Sequence, residues 1–275
     1  MTAAEHTPER RTLAPPERRV AEVKAVRPLG AYDVITARDP VGPRDPRPGQ
    51  FYMLAAGQRW GGGASERPFL PRAFSFATAR AHGDGGAVLE FVLEDVGPGT
   101  HRLGELEPGD PLMLLGPLGL GFAPAASGTR PLLVGGGIGI APLLCLTEKL
   151  GGEAMVILGF RSAAHARGAE LFDGDVTVVT DDGSVGDRGL VTGPLREELD
   201  RDPGATVYAC GPPAMLEAVR ALCAERDVAC QLALEAGMAC GYGACFGCVV
   251  PTVDGLQRVC VDGPVFAGAA LQRVQ

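Results

Sequence analysis

Three cysteines fall within nine residues of the stretch LEAGMACGYGACFGCVV, at Cys240, Cys245 and Cys248, and a fourth, Cys260, follows in QRVCVDG. The spacing is C-x4-C-x2-C-x11-C. A lone C-x2-C serves zinc or dithiol chemistry equally well. C-x4-C-x2-C with a distant fourth cysteine is the plant-type [2Fe–2S] spacing. Each iron needs tetrahedral thiolate ligation, and the bridging sulfides must be wrapped closely. Gly241, Gly243 and Gly247 lack a Cβ, so the backbone there can approach the sulfurs and aim N–H groups at them. The candidate metal ligands are therefore Cys240, Cys245, Cys248 and Cys260. Zinc is the competing metal, although zinc sites seldom need this density of glycine. Disulfides are the third reading. The N-terminal stretch MTAAEHTPERRTLAPPERR is polar and basic and runs into no apolar core. No export is expected from it, and a thiol cluster then fits a metal site better than a set of bridges.

The other four of the eight cysteines differ in setting. Cys145, Cys223 and Cys230 lie in or beside apolar helical stretches and read as ordinary buried thiols. Cys210 ends an apolar run in YACGPP, where it is either structural or in contact with a bound ring. Two glycine-rich stretches are candidates for phosphate binding. GGGIGIAP contributes Gly135, Gly136, Gly137, Ile138 and Gly139 between a strand and a helix, where phosphate can sit on the helix N-terminus. Its G-x-G-x-x-P spacing differs from the Rossmann pattern, and a purely structural turn is the alternative. The second is Cys210-Gly211-Pro212. Asp181 and Asp182 end another strand and read as turn and solvent residues. In RAFSFA, Arg72 supplies a charged fork and Ser75 a hydroxyl, both suited to a diphosphate. In VGPGTHRL, Gly99 and Thr100 precede a short helix with free N–H groups. A surface salt bridge and a helix cap are the plainer readings of these two stretches.

Three compositional regions must position these residues. Residues 19–127 contain short apolar runs (RVAEVKAVRPLG, AYDVITAR, QFYMLAA, AFSFATA, AVLEFVLEDV, GDPLMLLGPLG) separated by glycine and proline, which predicts an antiparallel β-barrel. A loop, GQRWGGGASERPFLP, interrupts them. Residues 128–228 alternate strands (PLLVGG, AMVILGF, DVTVVTDDG, ATVYACGP) with helices (IAPLLCLTEKL, LVTGPLREEL, PAMLEAVRALCAERD). That pattern predicts a parallel sheet with helices on both faces and ligands beyond its strand ends. Residues 229–275 are rich in cysteine and glycine with little periodicity, and a segment this short needs a metal, a bridge or a neighbour to fold. Residues 1–18 are expected to be a flexible tail.

Composition narrows the function. The formal charge of −8 argues against a nucleic-acid surface. No run approaches the roughly 20 apolar residues that span a bilayer, so no membrane span is expected and a cytoplasmic location is. Only 10 Phe and 4 Tyr are present, which disfavours aromatic stacking platforms.

Taken in order, these motifs resemble the electron-transfer subunit of class 1B dihydroorotate dehydrogenase, within the ferredoxin–NADP reductase superfamily. The resemblance covers about Val20 to Gly268. Arg72-Ala73-Phe74-Ser75 is similar to the arginine–x–x–serine flavin motif. Val92-Leu93-Glu94 and Gly99-Thr100 are similar to the strand and phosphate loop after it, and GPLGLGF, Gly116 to Phe122, is characteristic as well. LLVGGGIGIAPL and YACGPPAML resemble the nicotinamide site, and EAGMACGYGACFGCVV with RVCVDGPVF resembles the cluster domain. The resemblance implies an FAD-binding barrel at 19–127, an NAD-binding α/β domain at 128–228 and a small [2Fe–2S] domain at 229–275. It implies FAD, NAD and a [2Fe–2S] cluster as cofactors, with no acid–base catalytic residue. It also implies a partner, an FMN-containing dihydroorotate dehydrogenase catalytic subunit, in a heterotetramer of two copies each. The chain would then relay electrons from that FMN to NAD+ in pyrimidine biosynthesis. The sequence departs from the family at Ala73, where proline is usual, at Glu94, where arginine is common, and in a longer loop at 57–71. Two other functions fit the same residues: an NAD(P)H-dependent reductase module of a hydrogenase or a glutamate-synthase-like enzyme, and a zinc-stabilised adaptor without catalysis.

Overall fold

The structure is a computed structural model that describes residues 17–61, 68–83, 85–152 and 154–272. The tail expected at 1–18 and the centre of the 57–71 loop lie almost wholly outside the described residues.

The N-terminal half is one antiparallel sheet. Its strands are β1 (Arg18–Leu29), β2 (Tyr32–Asp39), β3 (Phe51–Ala56), β4 (Arg72–Ser75), β5 (Thr78–Ala81), β6 (Ala87–Leu93) and β7 (Pro111–Leu118), with helix α1 (Pro98–Gly104) between β6 and β7. The order is β4-β3-β7-β1-β2-β6-β5. Alternate side chains of β2 and β6 face inward, and Ile35, Leu54, Phe76, Phe91 and Leu112 form the core of the curl. Burying each stabilises by roughly 1.5–3 kcal/mol. The sheet is not a closed barrel, because β4 and β5 sit at opposite ends of the order and do not pair. AFSFATA is not one strand for the same reason. At Phe76 and Ala77, both buried, the chain crosses from one edge of the half-barrel to the other.

The second half is a mixed sheet. It comprises β8 (Arg130–Gly136), α2 (Ile140–Lys149), β9 (Met155–Phe160), α3 (Ala163–Ala166), β10 (Val176–Thr180), β11 (Asp187–Arg188), α4 (Thr192–Arg201), β12 (Ala205–Cys210), α5 (Pro213–Glu225) and β13 (Ala229–Ala233). A last stretch carries β14 (Val249–Thr252), β15 (Gly255–Arg258), α6 (Val259–Asp262) and β16 (Val265–Ala267). The sheet order is β11-β10-β9-β8-β12-β13-β16. All neighbours are parallel except β13 and β16, which are antiparallel. From β8 the chain builds outward through β9 and β10, then returns to lay β12 on the other side. The strand order therefore reverses between β8 and β12, with Cys210 paired to Gly135. Ligands bind at such switch points in open α/β sheets.

Residues 229–233 and 265–267, expected in the cysteine-rich region, are strands of this mixed sheet. The cysteine-bearing stretch is thus an excursion between two paired strands. Gln231 pairs with Ala267, Leu232 with Phe266 and Ala233 with Val265. Two further bonds fasten its exit, Leu234 N–H to the Pro264 carbonyl at 2.9 Å and Leu120 N–H to the Gly263 carbonyl.

Helix α2 lies between the halves and is buried from Ile140 to Thr147. Leu143 and Leu144 pack in the mixed-sheet core, whereas Cys145 packs in the half-barrel core. The β1–β2 turn meets α3 through Ala31 N–H to the Ala164 carbonyl at 2.9 Å. Among the described residues, no helix is long and apolar enough to cross a membrane.

Candidate functional site

Two connected cavities lie where the halves meet. The inner cleft, about 270 Å³, has Ala73, Phe74, Ser75, Val92, Glu94 and Thr100 on its half-barrel side. Ile138, Gly139 and Cys210 face it from the mixed sheet, and Ala236, Met238 and Pro264 close it from the excursion. The outer cavity, about 560 Å³, lies over the ends of β8, β9 and β10 and the start of α5. Gly136, Gly137, Ile138 and Pro212 line it, with Arg161, His165 and Asp181. Glu94, Val96, Ile138 and Glu235 border both spaces.

The glycines at the junction are there for close approach. A Cβ on Gly139 would sit 2.6 Å from the Cys210 carbonyl carbon, and one on Gly136 would meet Met215 at 2.4 Å. Gly135 and Gly211 face neither cavity. Their missing side chains make room for Leu158 and for Met215. The Cys210 thiol is buried against the cleft, and burial first and the Glu235 charge second push it well up. It is therefore a neutral apolar contact and not a thiolate nucleophile.

Arg72 does not line the cleft. Its guanidinium lies 5.9 Å from the centre of the Trp60 ring and donates to the Leu70 carbonyl. Gly99 packs directly beneath it: a Cβ there would be 2.4 Å from Arg72 Nε. Trp60 Nε1 is buried and without a partner among the described residues. Thr100 reaches the cleft, but its hydroxyl also accepts the backbone N–H groups of Val96 and Gly97, each at 2.9 Å. Leu93 is fully buried in the half-barrel core, so only its backbone is available to a ligand. Glu94 turns to the other half of the molecule. Its carboxylate pairs with Arg161 and lies 3.4 Å from His165 Nε2.

The four cysteines meet as two contacting pairs. The thiols of Cys240 and Cys245 are hydrogen-bonded, as are those of Cys248 and Cys260. Burial alone would raise the Cys240 thiol. The N–H groups of Cys245, Tyr242 and Ala244 and the Cys245 thiol outweigh it, and bring the group down to about 6. Cys260 is pushed up to about 12 by burial and by Cys248, although the Gly243 N–H points at it. Gly241 and Gly243 have φ of 78° and 88°, the left-handed conformation that turns successive N–H groups to one side. A Cβ on Gly241 would strike Met53 of β3 at 2.5 Å, so the thiol loop rests on the half-barrel. Among the described residues, no group of three or more His, Cys, Asp or Glu is placed to hold a metal ion.

The family profile described as the iron–sulfur cluster binding domain of dihydroorotate dehydrogenase B matches residues 235–272. A dihydroorotate dehydrogenase B (NAD(+)) electron transfer subunit from Caldanaerobacter subterraneus subsp. tengcongensis is 37% identical over 230 residues, covering 81% of this chain and 86% of that one. The counterpart from Geobacillus kaustophilus is 41% identical over 233 residues, covering 80% and 84%. The chain belongs to the family of class 1B dihydroorotate dehydrogenase electron transfer subunits. Among solved structures it is similar to an NADH-dependent reduced ferredoxin–NADP oxidoreductase, with a TM-score of 0.75 at 25% identity over 92% of this chain and 90% of that one. A ferredoxin reductase of carbazole 1,9a-dioxygenase gives a TM-score of 0.65 at 25% identity, over 79% and 68%. As a member of this family the chain is an electron-transfer oxidoreductase subunit that links flavin and iron–sulfur chemistry to nicotinamide.

Sequence reasoning missed several residues of this electron transfer subunit. Glu235 borders both cavities and is exposed to the crevice, and partial desolvation by the protein around it raises its carboxyl. Asp181, expected only as a turn residue, is exposed and also lines the outer cavity. His165 joins it there, beside Arg161, which follows the strand AMVILGF and on sequence grounds could serve either nicotinamide cofactor. Glu235, Asp181 and His165 have no local motif. Glu235, one residue before the Ala-Gly-Met-Ala-Cys stretch, was the nearest to a visible signal.

Proposed function

We propose that the chain relays electrons from the FMN of a dihydroorotate dehydrogenase catalytic subunit to NAD+, in pyrimidine biosynthesis. Residues 19–127 hold FAD, 128–228 hold NAD, and 229–275 hold a [2Fe–2S] cluster on Cys240, Cys245, Cys248 and Cys260. The observation that carries this reading is contiguity. Ala236, Met238 and Pro264 of the cysteine excursion line the same cleft as Ser75 and Cys210, and that cleft shares four residues with the outer cavity. Three sites in a row suit a one-electron carrier, a flavin and a two-electron acceptor. When bound, the cluster passes electrons singly and the flavin pairs them for nicotinamide.

The residues fit these groups. Two contacting thiol pairs with backbone N–H groups aimed at the sulfurs suit a binuclear centre better than one zinc ion. Cys240, Cys245, Cys248 and Cys260 hold it, and the N–H groups of Tyr242, Ala244 and Gly243 stabilise its negative charge. Phe74, Val92 and Cys210 give the inner cleft apolar walls for a flat ring. Ser75 and Thr100 supply its hydroxyls, and Arg72, over Gly99, supplies positive charge to the diphosphate at its rim. Gly136, Gly137, Ile138 and Pro212, at the switch point, bring backbone against the dinucleotide. No proton transfer is required of the chain, only orientation and exclusion of water.

The test is purification with and without the suspected catalytic subunit, followed by metal and flavin analysis and an NAD+-dependent dihydroorotate oxidation assay. About two irons and two acid-labile sulfides per chain are expected. The assay should respond only to the complex, expected as two copies of each subunit. One zinc without sulfide would favour the non-catalytic adaptor instead. The likeness to a ferredoxin–NADP oxidoreductase supports a second reading, a reductase module for another oxidoreductase. A complex without dihydroorotate activity that still passes electrons from NADH would select it.

A further inference from the structure

The outer cavity is poorly charged for a dinucleotide as it stands. Glu94, Asp181 and Glu235 line it, and Arg161 is the single arginine or lysine among its described lining residues. A pyrophosphate brings negative charge into this ring of carboxylates. The backbone at Gly136 to Ile138 and the N-terminal end of α5 offset part of that charge. A guanidinium would offset far more, but the Arg161 guanidinium is already paired with Glu94.

We propose that Arg161 is the pyrophosphate-binding cation of this cavity and that Glu94 is its internal competitor: dinucleotide binding exchanges the Glu94 carboxylate for phosphate. The proposal rests on the reading of the outer cavity as the nicotinamide dinucleotide site. The geometry suits an exchange. Arg161 Nε donates to His165 Nε2 at 2.7 Å, so that ring nitrogen is the acceptor. The other, Nδ1, then carries the proton and donates to Ser162 Oγ at 2.9 Å. The guanidinium is thus anchored on His165 through Nε. Nη2, on the same edge, faces Glu94. Only Nη2 need change partners, while Nε keeps His165. The Arg161 side chain is 62% exposed and that of Glu94 is 19% exposed, so the arginine is the mobile member. Tyr32 stands edge-on to His165 at 5.7 Å, and its buried hydroxyl has no partner among the described residues. The Glu94 charge reaches that hydroxyl and helps raise it, after burial. It is a donor available to the carboxylate that Arg161 leaves.

Because the pair joins the end of β6 to the end of β9, removing either partner breaks the same tie between the halves. A purely structural role predicts that both substitutions move affinity in one direction. The exchange predicts opposite directions. The experiment is calorimetric titration of the flavin-loaded full chain with ADP, which carries a pyrophosphate and no nicotinamide, and with adenosine, which carries neither. Glu94→Gln should tighten ADP about three- to tenfold, and Arg161→Gln should weaken it about tenfold or more. In the Arg161→Gln background, Glu94→Gln should give no gain. Adenosine should bind all four proteins alike. An unchanged or weakened ADP affinity in Glu94→Gln, or a gain that survives in the double variant, would overturn the exchange while leaving the cavity a nucleotide site. A parent chain that binds neither ADP nor NADH would remove that reading and the exchange with it.

Discussion

At the residue scale, two glycines illustrate how the same missing Cβ has different consequences. At Gly139 the obstacle is the Cys210–Gly211 backbone, fixed in the central strand and its turn. At Gly99 it is the Arg72 guanidinium, the far end of a flexible side chain. Gly139→Ala is therefore expected to cost about 1–3 kcal/mol of stability, the range of an overpacked core, and to widen the junction of the two cavities. Gly99→Ala should leave the melting temperature nearly unchanged and lower flavin retention, because Arg72 is pushed off its seat. Thermal melts beside flavin content per chain separate the two, and equal losses of stability would contradict the distinction. Glu235 gives a prediction in pH. Burial raises its carboxyl above the unfolded value of 4.5. Its stabilising contribution is then full below that value and lost as pH rises through the folded pKa. Glu235→Gln should thus raise the melting temperature at pH 7.5 and have little effect near pH 4.5. The gain is modest, since solvent in the crevice screens the group. A variant less stable than the parent at pH 7.5 would show that the charged form is favoured instead.

At the scale of elements, the pairing of β13 with β16 decides where the thiol loop sits. Phe266 is the buried member of β16 and packs under Gly263, where a Cβ would lie 2.3 Å from its ring. Phe266→Ala should cost roughly 3–5 kcal/mol and release the exit of the excursion. Iron per chain should fall more than flavin per chain, since the half-barrel's own core of Ile35, Leu54, Phe76, Phe91 and Leu112 does not include Phe266. Parallel losses of both would place the effect on the whole fold. This element also marks the limit of what the sequence made legible. The cysteine spacing is local, so Cys240, Cys245, Cys248 and Cys260 could be singled out directly as candidate ligands, and the long strands and helices from β8 to α5 could be read as well. Strands of five and three residues joined across the excursion have no such pattern, because their pairing depends on contacts distant in the chain. The open half-barrel escaped for the same reason: AFSFATA alternates like one strand, and only the curl of the sheet sends its two ends to opposite edges. The Glu94–Arg161 pair was invisible because each partner belongs to a different half.

For the whole molecule, the cysteine excursion carries an exposed apolar face. Tyr242 is 53% exposed, Phe246 63% and Leu256 75%. Tyr242 and Phe246 could equally have packed inward on sequence grounds. Phe246 is held out at some cost, with φ of 56°, a conformation that a bulky residue rarely adopts and that costs of order 1–3 kcal/mol. Its ring lies 5.0 Å from the Arg258 guanidinium, which fixes its direction. An aromatic held in this way beside the cysteine loop proposed to hold the cluster suits the centre of a contact with an electron donor, because anchors of this kind dominate interfaces and electrons must cross a short gap. Phe246→Gly should relieve the backbone while losing only the weak ring–cation contact, worth about 0.5–1 kcal/mol at an exposed site. The isolated variant should keep its iron, its melting temperature within a few degrees, and its NADH-dependent reduction of an artificial acceptor. Its affinity for the proposed FMN-containing catalytic subunit should fall by tenfold or more, in line with loss of an anchor residue. Dihydroorotate oxidation at limiting subunit concentration should fall with it and recover at high concentration. Full affinity with unchanged iron would move the docking face elsewhere on the chain.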